Sequence, residues 1–242
     1  MVGTNLFVGT YFETITATDT KGAQTLLGLS IVVSKADTIT VTAIARSDTY
    51  TGSTLTFTPT FTVSGLVNSE TLTAAAMSWN YNGVENSGAL YAIQTTKPIN
   101  AGAYTITPVT PASLTDSYTA VTIVPASLTV NRATRTITIT PPGSPIKFGE
   151  TKTVTSTPSA GVGDGTISYT TSTTDSCTVS NTTVTAVKSS GTCSFTAMIS
   201  RGNNFETATS TSGTSTLRKA DTLTVTVDAM TPLTYKIGRA HV

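Results

Sequence analysis

Cys177 and Cys193 are the two residues whose type and spacing offer chemistry most directly. They stand 16 positions apart, each in phase with apolar neighbours in a period-two pattern, Cys177 with Val179 and Cys193 with Phe195 and Ala197, so both point inward. Two inward thiols on adjacent strands predict a structural disulfide, which adds about 3 kcal/mol for a loop of this length in an oxidising exterior. The competing reading is a pair of buried thiols packing as small hydrophobes. Two sulfurs without histidine or a second cysteine pair fall short of the four ligands of a zinc site.

Asp19, in the turn Thr18-Asp19-Thr20-Lys21-Gly22, is the candidate for calcium; Asp37 and Asp221 occupy comparable later positions, while Arg132-Ala133-Thr134 lacks the acid. Calcium takes six or more oxygens, so the alternative is an Asp that bonds its own turn backbone. No other cofactor is expected. Trp79, Tyr81 and Tyr91 flank Asn82-Gly83, read as a turn. Exposed there, Trp79 and Tyr81 are candidates for stacking on a sugar ring; a lone Trp in a β-sandwich is otherwise a core residue. Catalysis finds no support. The only histidine is His241, and Glu13, Glu70, Glu85, Glu150 and Glu206 are scattered singly, whereas triads need a base titrating near neutrality and glycoside hydrolysis a pair of acids.

The elements that position these residues are announced by a recurring phrase: SKADTITVT at 34–42, NRATRTITIT at 131–140 and LRKADTLTVT at 217–226. Ala36 to Ala133 is 97 positions and Ala133 to Ala220 is 87, the length of small β-sandwich domains in tandem. Composition agrees. Charged residues make up 11% of the 242 against a usual share of about 25%, and Thr takes their place; its branched, hydroxylated side chain suits the solvent face of a strand and disfavours helix. Essentially no helix is expected. Alternation places Ile39 and Val41, Leu55 and Phe57, Phe61 and Val63, Tyr104 and Ile106, Leu128 and Val130, Ile167 and Tyr169, and Phe195 and Ala197 on the inner faces of short strands. The formal net charge of +1 supplies no field for nucleic acid or anionic lipid. No apolar run approaches about 18 residues, so no membrane insertion is expected in this segment.

Three stretches resemble known families. Tyr50 to Ala133, with YTG at 50–52, VSGLV at 63–67, KPINAGAYTITP at 97–108 and VPASLTVNRA at 124–133, is similar to the MBG-type β-rich repeat of bacterial surface proteins, in which an Asn-Ala-Gly-x-Tyr turn leads into a strand and a Pro-x-x-Leu-x-Val strand closes the module. MSWNYNGVENS at 77–87 departs from that pattern. ISYTTSTTDSCTVSNTTVTAVKSSGTCSFTA at 167–197 with RGNNFETATS at 201–210 resembles a bacterial immunoglobulin-like repeat, in which the two cysteine strands flank a short hairpin and a Gly-Asn-Asn-aromatic turn precedes the last strand. ITATDTKG at 15–22 resembles the end of a cadherin-like or immunoglobulin-like module, and IGRAHV at 237–242 resembles a translated sequencing adapter, which is set aside.

The expectation is an all-β chain of tandem immunoglobulin-like and MBG-like antiparallel β-sandwich modules in an extended array. Residues 1–35 would be the C-terminal part of a truncated module with Met1 an internal start, 36–132 the MBG-like module, 133–219 the bacterial immunoglobulin-like sandwich, 220–236 the first strand of a next module and 237–242 the scar. The resemblances imply a non-enzymatic repeat segment of a large bacterial cell-surface or secreted adhesin, spacing a distal binding domain from the cell. Its partners would be neighbouring repeats of the same chain and a host or matrix glycan or protein. The alternative is a carbohydrate-contacting accessory module of a secreted polysaccharide-active enzyme.

Overall fold

A computed structural model describes residues 7–67 and 69–229 of the protein. Residues 1–6, Asn68 and 230–242 lie outside this description, and with them the later part of the 220–236 segment, the adapter-like 237–242 and His241. The protein is all-β. Among the described residues ten strands precede residue 132: β1 (Gly9–Thr18), β2 (Gln24–Val33), β3 (Ile39–Ala43), β4 (Arg46–Thr49), β5 (Phe61–Ser64), β6 (Ser78–Glu85), β7 (Leu90–Gln94), β8 (Gly102–Val109), β9 (Val121–Val124) and β10 (Ala126–Asn131). Ten follow: β11 (Ile137–Thr140), β12 (Ile146–Lys147), β13 (Thr151–Thr153), β14 (Thr155–Pro158), β15 (Ile167–Thr171), β16 (Cys177–Ser180), β17 (Thr183–Ala186), β18 (Thr192–Ile199), β19 (Ala208–Thr209) and β20 (Gly213–Arg218).

Two compact units emerge, one of Met1–Ile137, Pro158–Ile167 and Met198–Thr209, the other of Thr138–Thr157, Ser168–Ala197 and Ser210–Val242. In the first, β4-β10-β8-β6-β7 form a five-stranded sheet and β5-β3-β9 a three-stranded one, and β3 and β9 pack against β8. Period-two patterning drives this assembly, since Ile39, Val41 and Ala43 on β3 and Tyr104 and Ile106 on β8 are buried while intervening residues are more exposed. The core holds Leu55, Tyr81, Tyr104, Ile106, Leu128 and Val130, with a second cluster of Ile39, Leu114 and Tyr118. Pairing is mostly antiparallel, but the opening stretch runs parallel to the closing one at one constant offset, Ile39 opposite Val121 and Arg46 opposite Leu128. β1 and β2 form a separate two-stranded sheet paired over all ten residues of each strand.

In the second unit, β13-β17-β16 form one sheet, and β12, β20, β18 and β15 supply the path of another. Val154, Cys177, Val184, Cys193, Phe195 and Ala197 are buried there.

The expectation of essentially no helix holds but for two short turns, and two local expectations are corrected. Among the described residues a short helix, α1 (Ala112–Ser117), and a single 3-10 turn at Ala74–Ala76 are present; Pro111 in extended conformation precedes α1, and Leu114 anchors it beside Tyr118. Asn82-Gly83 is not a turn but lies within β6, where the register to β7 shifts between Tyr81 and Gly83. A side chain at Gly83 would meet the Ala103 carbonyl oxygen at 2.3 Å and the Tyr104 Cα at 2.6 Å, so glycine here serves close strand approach. Leu55 is buried, but residues 50–60 form no strand; Pro59 removes a ladder donor just before β5.

Candidate functional site

A dense polar cluster lies within the first unit, where the two signature turns quoted from the sequence meet. The Asn-Ala-Gly-x-Tyr turn closes on itself, the Tyr104 hydroxyl donating to the Asn100 carbonyl at 2.7 Å. The Gly-Asn-Asn-aromatic turn is folded around Asp164, whose carboxylate accepts the backbone N–H groups of Asn203, Asn204 and Phe205 at 2.5, 2.8 and 3.0 Å. Gly202 is required at that spot: a Cβ there would stand 2.2 Å from Asp164 Oδ1. The two turns then interlock. Asn204 Oδ1 accepts the Ala101 N–H at 2.8 Å, Asn204 Nδ2 donates to Asn100 Oδ1 at 3.3 Å, and Asn86 Nδ2 donates to the Asn203 carbonyl at 3.0 Å. Glu85 braces the near side by accepting Asn100 Nδ2 at 2.9 Å.

Arg135 is the buried cation behind this latch. Its Nε, Nη1 and Nη2 donate to the carbonyls of Glu206, Gly161 and Ser200 at 3.1, 3.1 and 2.7 Å, and its guanidinium lies 5.5 Å from the Phe205 ring centroid. Tyr50 meets Phe205 edge-on at 5.3 Å. Arg132 donates to the Gly202 carbonyl at 2.8 Å. Burial pulls the Asp164 carboxyl upward, but the three backbone donors and the charge of Arg135 outweigh it and hold the group below the usual carboxylate range. The hydrogen bonds of the latch tie each turn to itself, to its neighbours or to the other turn, so the arrangement fixes backbone conformation.

The predicted site residues fall elsewhere and do not converge. Cys177 on β16 and Cys193 on β18 are fully buried, with Cα atoms 5.9 Å apart, inside the span a disulfide bridges. They belong to different sheets of the second unit rather than to adjacent strands, so the pair spans the interior. Asp19 Oδ1 accepts the N–H groups of Lys21 and Ala23, both at 2.8 Å, and the turn itself occupies that oxygen. Among the described residues no three His, Cys, Asp or Glu side chains gather as metal ligands would. Tyr81 is 1% exposed and its hydroxyl is pushed up to about 12, by burial first and then by Tyr91. A ring so enclosed offers no face to a sugar. Trp79 is half-buried against the core with its ring 5.9 Å from Phe61, and Tyr91 meets Tyr104 edge-on at 5.5 Å.

One open cleft of about 480 Å³, lined by Thr58, Phe61, Val63, Leu66, Glu70 and Leu72, sits beside β5. At its edge the Tyr118 hydroxyl donates to the Glu70 carboxylate and accepts the Val67 N–H at 3.3 Å. Neither Trp79 nor Tyr81 lines it. Arg135 is in phase with the inward Ile137 and Ile139, and an inward arginine implies buried acceptors; no local pattern marks Asp164 in the same way.

No protein-family model and no curated protein matches the chain. Among solved structures, the chain is similar to a Dscam chain from work on Dscam isoform specificity at 12% identity and a TM-score of 0.35, over 82% of this chain and 51% of that one. It is similar to Drosophila N-cadherin EC1-4 at 13% identity and a TM-score of 0.36, over 90% and 60%, and to murine CEACAM1b at 14% and 0.28, over 75% and 100%. The chain thus spans about half the length of the Dscam chain. The all-β assignment rests on the chain's own sheets.

Proposed function

We propose that this chain is a non-enzymatic structural segment of a large bacterial cell-surface or secreted adhesin, in which MBG-like (36–132) and bacterial immunoglobulin-like (133–219) repeats space a distal binding domain from the cell. The observation that carries the reading is the latch. The residues that give each repeat its signature, Asn100, Ala101 and Tyr104 in one and Gly202, Asn204 and Phe205 in the other, are spent on holding backbone to backbone. The glutamates are likewise engaged within the fold: Glu70 accepts the Tyr118 hydroxyl, Glu85 the Asn100 side-chain amide and Glu150 the Lys147 N–H, and Glu206 pairs with Arg201. A Cys177–Cys193 disulfide across the second unit suits an extracellular site. The carbohydrate-accessory alternative asks Trp79 and Tyr81 to face a ligand, and both are packed instead.

Sequencing the gene outward past both ends of this segment tests the proposal. Further copies of the Lys/Arg-Ala-Thr phrase leading to a secretion or anchoring signal are expected. A glycoside-cleaving domain in the same frame would replace the spacer reading with the accessory one.

A further inference from the structure

β5 is an outer strand of the three-stranded sheet β5-β3-β9 in the first unit. It runs antiparallel to β3, with Val63 opposite Val41 and Phe61 opposite Ala43, and one step beyond the strand the Ile44 N–H donates to the Thr60 carbonyl at 3.0 Å. Antiparallel pairs alternate between hydrogen-bonded and non-hydrogen-bonded positions, so Thr60, Thr62 and Ser64 spend their main-chain groups on β3. Phe61 and Val63 direct theirs the other way. Two N–H and two C=O groups thus face away from β3, and among the described residues no strand pairs with them. Groups of this kind require water or a further strand as partner.

The cleft of about 480 Å³ lies on this side of β5, since β3 contributes nothing to its lining. Phe61 and Val63 form one wall, Leu66 and Leu72 another. Val63, Leu66 and Leu72 pack on the cluster of Ile39, Leu114 and Tyr118, and the Phe61 ring lies 5.9 Å from Trp79, so the walls are anchored in the core. Glu70 is the one charged residue in the lining. Its Oε2 accepts the Tyr118 hydroxyl, and among the described residues no lysine or arginine pairs with it.

We propose that this cleft is a docking groove for an extended segment of a partner protein, which adds as a strand along β5, lays an aliphatic side chain at every second position between the two walls and presents a lysine or arginine to Glu70. Each feature of the cleft selects part of this occupant. The outward main-chain groups of Phe61 and Val63 match the ladder of another polypeptide, which neither a sugar nor a lipid chain carries, as in β-strand addition generally. The apolar walls select aliphatic side chains in a period of two. The lone carboxylate at the mouth selects a basic residue by charge complementarity. The spacer reading asks nothing of this groove, so the two stand or fall separately.

Amide hydrogen exchange by NMR on the full chain tests the groove, with the peptide acetyl-Lys-Thr-Val-Thr-Val-Thr-Lys-amide as probe. The Phe61 and Val63 amides should exchange fast in the chain alone and about tenfold slower or more with saturating peptide. A peptide whose central Val-Thr-Val is replaced by three prolines should give no protection, because the ladder donors are gone. Glutamate in place of both lysines should weaken binding, and so should Glu70→Gln, whose amide oxygen still accepts the Tyr118 hydroxyl, by about threefold for the lysine peptide, the worth of one exposed ion pair. Protection of both amides without peptide would overturn the proposal, because another part of the chain, or a second copy if protection grows with concentration, would then hold the edge. Peptide binding that leaves these amides unprotected, a proline peptide that binds as well as the valine one, or a glutamate peptide that binds as well as the lysine one would each overturn it too.

Discussion

Asp164 does at residue scale what no single residue quoted from the sequence does: it gathers three consecutive backbone N–H groups and thereby shapes the turn that Asn204 presents to Ala101. A hydrogen bond to a charged group contributes about 1.5–3 kcal/mol, so Asp164→Ala should lower stability by roughly 2–3 kcal/mol in urea unfolding, allowing for relaxation of the turn. Because its carboxyl is held low, the contribution is present above the ordinary Asp range and is lost as pH falls through the lowered value. The variant and the parent should therefore converge in acid. At the other end of the scale, burial raises Tyr81 and Tyr104 from 10.0 to about 12, with Tyr91 and, for Tyr104, Glu85 adding to it. A neutral phenol favoured by the fold stabilises it below pH 10.0, and that contribution drains away as pH rises toward about 12. Ultraviolet titration should show two late tyrosines ionising together with loss of β structure. Trp79→Ala should destabilise the first unit by roughly 2 kcal/mol, less than a fully buried Trp, and leave retention on immobilised glycans unchanged. The inward phase of both cysteines was legible from alternation; that they sit in separate sheets was not, because alternation fixes a face and says nothing about which sheet a strand joins.

At the scale of elements, period two was the reliable guide. β3, β8, β10 and β18 carry their apolar residues on the buried face that the sequence predicts. It misled where context overrides pattern. Asn82-Gly83 has turn composition, yet tight approach of β8 makes the glycine a strand residue, and Leu55 and Phe57 alternate as a strand would in a stretch that Pro59 keeps out of the ladder. The same reasoning gives an element-level test of the latch. Gly202→Ala puts a methyl group into the Asp164 carboxylate and should cost as much as removing that carboxylate, and the two changes combined should cost little more than either alone, since both break one contact. Additive losses in a double-mutant cycle would show that Gly202 acts through something other than Asp164.

For the whole molecule, low charge, abundant Thr and a phrase recurring at domain-sized intervals made the all-β class legible before any coordinate. The parallel pairings and the latch were not, because both join residues 70 to 117 positions apart and no local pattern encodes which distant strand or turn is met. The spacer role proposed above asks for mechanical duty, which buried aliphatic strands, hydrogen-bonded turns and a Cys177–Cys193 bridge would serve. Pulling the full chain from its two ends in an optical trap tests that claim most directly. The account predicts discrete unfolding events, with the released length growing by roughly 50 Å when reductant is added, the reach of the 16-position separation of Cys177 and Cys193 at about 3.3–3.6 Å per residue. Smooth extension without events, or a released length indifferent to reductant, would contradict it.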